Sequence, residues 1–133
     1  MKKKMNQIPV VKIRKQGLAE NTYCSGNNVW AASNLVQWCK EKRYPIFNLP
    51  LAGIDLSYIP WSNLTSVKNI ASHFKRVQSA NLDYPVILDD HGYIADGWHR
   101  IVKALVEGKK TIKAIRIQEM PEPDSINESS KDK

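Results

Sequence analysis

The densest chemistry in this chain lies in Ile94-Ala95-Asp96-Gly97-Trp98-His99-Arg100. Apolar residues at Trp98, Ile101, Val102, Leu105 and Val106 follow the spacing of one helical face. That phase puts His99 and Arg100 in a first helical turn, where N–H groups lack intrahelical partners and the dipole favours an anion. Asp96 suits the N-cap, and Gly97 lets a ligand come close to the backbone. An imidazole and a guanidinium fork add charged donors, so the chemistry expected at Gly97, Trp98, His99 and Arg100 is phosphate binding. A capped amphipathic helix with a surface arginine meets the same pattern. Trp98 either packs in the core as the first apolar residue of its helix or stacks on a base.

Other chemistries find less support. His73, His91 and His99 are 18 and 8 residues apart, without the i, i+4 spacing that pairs metal ligands on one helix. A Mg²⁺ ion could arrive with nucleotide phosphates and take one or two carboxylates. Asp89, Asp90 and Asp96 gather near the segment, and Asp96 is the candidate ligand, although turn and cap roles suit the three equally. Cys24 and Cys39 form neither a metal-ligand spacing nor a disulfide framework.

The elements that must position these groups are legible in outline. A run from Pro85 to Asp89 turns at Asp90-His91-Gly92 and returns as Tyr93-Ile94-Ala95, a hairpin leading into the helix. Thr65 or Ser66 caps an earlier helix with apolar positions Val67, Ile70, Ala71, Phe74 and Val77, leaving Asn69, Ser72, His73 and Arg76 opposite. Ile8 to Arg14 reads as an edge strand and Gly17 to Asn27 as a loop. A helix capped by Asn27 or Asn28 then runs to about Arg43, with Trp30 and Trp38 widening its apolar stripe. Tyr44-Pro45 ends it. Ile46 to Leu51 and Ile54-Asp55-Leu56 read as extended, and Thr111 to Ile117 as a β-branched strand. From Pro121 onward polar residues dominate, which predicts disorder. The helices over 66–79 and 97–108 are expected to pack on one sheet through Ile70, Phe74, Ile101 and Leu105.

The segment Asp96-Gly97-x-His99-Arg100, with its hairpin, its apolar helix, Gly108 and a closing strand, resembles the ParB/sulfiredoxin-like superfamily. The likeness covers roughly residues 46 to 118, beginning near Leu49-Pro50-Leu51-Ala52-Gly53-Ile54-Asp55-Leu56. Within that superfamily it is nearest the small stand-alone ParB-like proteins of phages and mobile elements. The resemblance implies a nucleotide (ATP or CTP), with or without Mg²⁺, held at Gly97, Trp98, His99 and Arg100. It also brings the helix over 66–79 near the nucleotide, which makes Asn69 and His73 candidate contacts. Mg-dependent hydrolysis or phosphoryl transfer is implied for some relatives and nuclease activity for others. Sulfiredoxins carry a cysteine where Trp98 stands, so their thiol chemistry is not expected. A kinase would also need a general base, and Glu107 lies at the wrong end of the helix.

At 133 residues the chain suits one domain. The expected organisation is an N-terminal strand and helix over 1–45 packed on the same domain, the ParB-like domain over 46–118, and a disordered tail over 119–133. The fold class expected is α+β, a small mixed sheet with packed helices. A formal charge of +7 fits a basic solvated surface or contact with DNA phosphates. A DNA-associated nuclease, or an adaptor for DNA or for a host or phage protein, is therefore the alternative function. No apolar run reaches membrane-spanning length, and a cytoplasmic location is expected.

Overall fold

The structure, a computed structural model, describes residues 22–62 and 64–126. The strand expected at Ile8 to Arg14 and the end of the expected tail lie outside the described residues. The chain divides into two units, one of residues 1–44 with 117–133 and one of residues 45–116.

In the first unit β1 (Thr22–Ser25) and β2 (Asn28–Ala31) form an antiparallel hairpin, with Tyr23 opposite Trp30. Gly26, at φ +60°, takes the first position of the two-residue turn, where a hairpin requires the left-handed region. This corrects two expectations, the loop to Asn27 and the helix from Asn27 or Asn28. Val29 and Trp30 pair as strand, and helix α1 begins only at Ala32, running to Lys42. Ala32, Leu35 and Cys39 are buried. Arg43, at φ 57° and ψ 40°, closes α1 in the left-handed region just before Tyr44-Pro45.

Residues 119–126, expected to be disordered, are held on this unit. Trp30 donates from Nε1 to the Pro121 carbonyl at 2.9 Å, and Trp38 from Nε1 to the Glu119 carbonyl at 2.8 Å. Asp124 accepts from the Ala31 N–H through Oδ2 at 2.7 Å and from Asn34 Nδ2 through Oδ1 at 2.8 Å. A short strand β7 (Ser125–Ile126) then pairs antiparallel with β2. Polar composition failed as a sign of disorder because indole donors and a helix start waited for these acceptors.

The second unit contains β3 (Phe47–Pro50), a 3-10 turn (Leu51–Gly53), α2 (Val67–Ser79), β4 (Val86–Leu88), β5 (Ile94–Asp96), α3 (Trp98–Val106) and β6 (Thr111–Arg116). Its sheet has the order β3-β6-β4-β5. The β3–β6 and β4–β5 pairs are antiparallel and β4–β6 is parallel, a mixed sheet in an α+β unit. Ile54-Asp55-Leu56 is not a strand: Asp55 Oδ1 accepts from the Ser57 N–H and hydroxyl, which turns the chain. Leu51, Val86, Leu88, Ile101, Ala104, Ile112 and Ala114 form the core, with Leu49, Ile94 and Trp98 packed against it.

Helix α2 is rotated from the expected orientation. Ser66 caps it, accepting from the Asn69 N–H. Yet Ile70 and Phe74 are 54% and 59% exposed, while His73 is buried at 3%. Leu105 of α3 is also exposed, so of the expected packing residues Ile101 alone is a core residue. The polar side of α2 turns inward, toward α3, because His73 meets His99 there. Lys103 fastens the far end of the pair, donating to the carbonyls of Gln78 at 3.0 Å and Ala80 at 2.6 Å, where a cation suits the end of the α2 dipole.

Candidate functional site

Strand β5 delivers the chain to Gly97, which adopts φ 115° and ψ 18° as the N-cap of α3. The cap is therefore Gly97 rather than Asp96, and it has no side-chain hydrogen bond. A Cβ at Gly97 would stand 2.5 Å from Val86 Cγ1 and 3.2 Å from Val86 Cα. Glycine is demanded here by the fit of the helix start against β4. Trp98 packs on the core and meets Tyr58 edge to face at 5.7 Å, which favours its packing role.

Arg100 folds back on its own elements. Nη2 donates to Asp96 Oδ2 at 2.8 Å and Nη1 to the Pro85 carbonyl at 3.1 Å, with the arginine side chain 16% exposed. Part of the guanidinium is thus committed to holding the helix start, and Asp96 answers Arg100.

His99 points to α2. Its Nε2 lies 2.9 Å from His73 Nδ1. The ring centroids are 5.1 Å apart and the planes differ by 15°. Ring N–H bonds and lone pairs lie in the ring plane, so this pair sits edge to edge in one sheet rather than face to face. Trp61 lies over both rings, with centroids 4.4 Å from His73 and 4.6 Å from His99. Burial lowers the His73 pKa. Burial, then Arg76, His73 and Arg100, push His99 down to about 4. Arg76 of α2 is half-buried, and burial lowers its own pKa. Asn69 stays at the α2 cap, its Oδ1 accepting from Ser66 Oγ at 2.9 Å and Thr65 Oγ1 at 3.2 Å.

The fold thus brings His73, His99, Arg76, Arg100 and Trp98 to one helix start and leaves Asn69 as a cap. Trp61 was not foreseen, because a lone indole after Pro60 reads only as a turn. Asp89, Asp90 and His91 also meet, with one ligand-type atom from each within 4.8 Å of the others. Asp89 Oδ1 accepts from the N–H groups of His91 and Tyr93, both at 2.9 Å, and Asp90 Oδ1 is 3.1 Å from His91 Nδ1. These bonds build the β4–β5 turn. Cys39 is buried and its thiol is pushed up to about 11, away from thiolate chemistry. No helix among the described residues is long and apolar enough to cross a membrane.

No protein-family model, curated protein or solved structure matches this chain.

Proposed function

We propose that residues 45–116 form a ParB/sulfiredoxin-like module that binds the phosphates of a nucleotide at the start of α3. The observation that carries this reading is the positive field at His99. Arg76, His73 and Arg100 all oppose a proton there, and the same field attracts an oxyanion. The uncapped N-terminus of α3 adds its N–H groups and dipole. The Gly97-Trp98-His99-Arg100 box supports the nucleotide class through its resemblance to that superfamily. In this reading Arg76 and the N–H groups of Arg100 not held by Asp96 and Pro85 contact phosphate, and His99 adds a hydrogen bond. Mg²⁺, where it takes part, arrives on the nucleotide. The reading extends to binding and leaves turnover aside.

Calorimetric titration with ATP, CTP, GTP and ADP, with and without Mg²⁺, tests it. Losing one charge-assisted contact costs about 1.5–3 kcal/mol, so Arg76→Ala should weaken binding about tenfold or more. Absence of binding by the wild type, or unchanged binding by Arg76→Ala and Arg100→Ala together, removes the proposal.

A second reading, DNA association, rests on the +7 charge and on α2, which carries Lys68 and Lys75 on exposed positions and no acidic residue. Gel shifts at rising salt separate the two, since phosphate-backbone affinity falls steeply with salt.

A further inference from the structure

We propose that the His73–His99 pair takes up one proton when an oxyanion binds at the start of α3, making the site a proton-coupled anion clasp. The proposal rests on the phosphate-binding reading above and adds to it how the site is tuned.

The geometry sets what the pair offers a ligand. Two neutral imidazoles joined through Nδ1 and Nε2 share one proton between the facing nitrogens. One outer nitrogen is then an N–H donor and the other an unprotonated acceptor. Adding a proton leaves the inner hydrogen bond intact and turns both outer nitrogens into donors. No bond inside the pair is lost, and the proton comes from solvent. An oxyanion accepts hydrogen bonds and donates none, so it matches the protonated pair better than the neutral one.

The surroundings set when that proton is held. Trp61 lies over both rings, and an indole face favours an imidazolium through its quadrupole. Arg76 on α2 and Arg100 on α3 oppose the charge, and Asp96 on β5 is bound by Arg100. With the site empty the two arginines and burial prevail, consistent with a His99 pKa of about 4. A bound dianion cancels the arginine field, and the indole then stabilises the imidazolium. A divalent cation is disfavoured by the same arginines.

Sulfate is the probe of choice, because it stays a dianion across the range and brings no proton of its own. Calorimetry of the full chain at about pH 5.5, in two buffers of different ionisation heat, should show close to one proton taken up per sulfate bound. Sulfate affinity should fall by up to about tenfold per pH unit as pH rises above the empty-site value. The ring C–H signals of His73 and His99 should titrate at least about one unit higher with sulfate, while exposed His91 stays put as the internal reference. His99→Gln keeps a hydrogen-bonding side chain but cannot be protonated, and should bind sulfate without proton uptake. Should that variant fail to fold, the two-buffer measurement and the wild-type titration decide alone.

Inorganic phosphate and ATP form the other arms. ATP binding tighter than phosphate with the same uptake identifies a nucleotide, and equal binding identifies a free oxyanion. Sulfate binding with no proton uptake and equal affinity at about pH 5.5 and 7.5 overturns the clasp and leaves the anion site standing. Failure of sulfate, phosphate and ATP to bind at any pH overturns both.

Discussion

Gly97 answers two demands with one residue. Its φ of 115° lies where a side chain is strained, and the missing Cβ is the space that lets α3 start against Val86. Gly97→Ala should therefore cost about 1–2 kcal/mol from the backbone alone, with the 2.5 Å approach to Val86 Cγ1 adding to it. Urea denaturation measures this, and a loss below about 0.5 kcal/mol, the range of an unremarkable surface change, would contradict it. His99 ties stability to pH. Its folded pKa of about 4 lies below the ordinary 6.5, so between those values the unfolded chain binds more protons than the folded one. Stability is then full above about 6.5, falls as pH drops toward 4, and levels below it. His73, shifted the same way by burial, adds to the slope. Denaturation midpoints taken across this range should decline on acidification, and His99→Gln should flatten the decline.

At the scale of elements, α2 shows what periodicity can and cannot say. Its bounds were readable, because Ser66 caps it and the apolar spacing runs through Val77. Its orientation was not. The apolar stripe implied that Ile70 and Phe74 face the core, but a buried His73 under Trp61, joined to His99, outweighs them. That bond links residues 26 positions apart, and no local pattern encodes it. The same limit hid Trp61 from the candidate site while the Gly97 to Arg100 box stood out by composition. For β1 and β2 the signal existed, Gly26-Asn27 between two β-prone runs, but the polar setting of Asn, Ser and Gly masked it. The rotated helix gives a direct comparison. Ile101, fully buried, should lose about 2–5 kcal/mol on change to alanine. Phe74→Ala, at a residue 59% exposed, should stay within about 0.5 kcal/mol. Equal losses would place the Phe74 ring in the core and refute the observed rotation.

Across the whole molecule, sequence-distant segments complete each other. Helix α1 has no acidic residue in its first turn and no cap of its own at Ala31. Asp124 supplies both, 93 residues from Ala31 and 90 from Asn34. Asp124→Ala should destabilise the first unit by about 0.5–2 kcal/mol. Hydrogen exchange should localise the effect to α1 and β2, and unchanged protection there would show that the carboxylate is dispensable. Composition gave the +7 charge and the α+β class, but the ordering of residues 119–126 depends on two indoles and a helix start that no window around residue 121 contains.

The strand order β3-β6-β4-β5 carries a consequence for synthesis on the ribosome. Translation delivers β3 first and its partner β6 some sixty residues later, Phe47 waiting for Ala114. The final strand of that sheet must slot between two strands already made. In the other unit, β2 likewise waits for Ser125 and Ile126. Neither unit can close as its leading half emerges from the exit tunnel, so the nascent chain carries open strand edges until nearly all of the described sequence is out. A stalled ribosome or a stop codon ahead of residue 111 would leave both sheets unfinished at once.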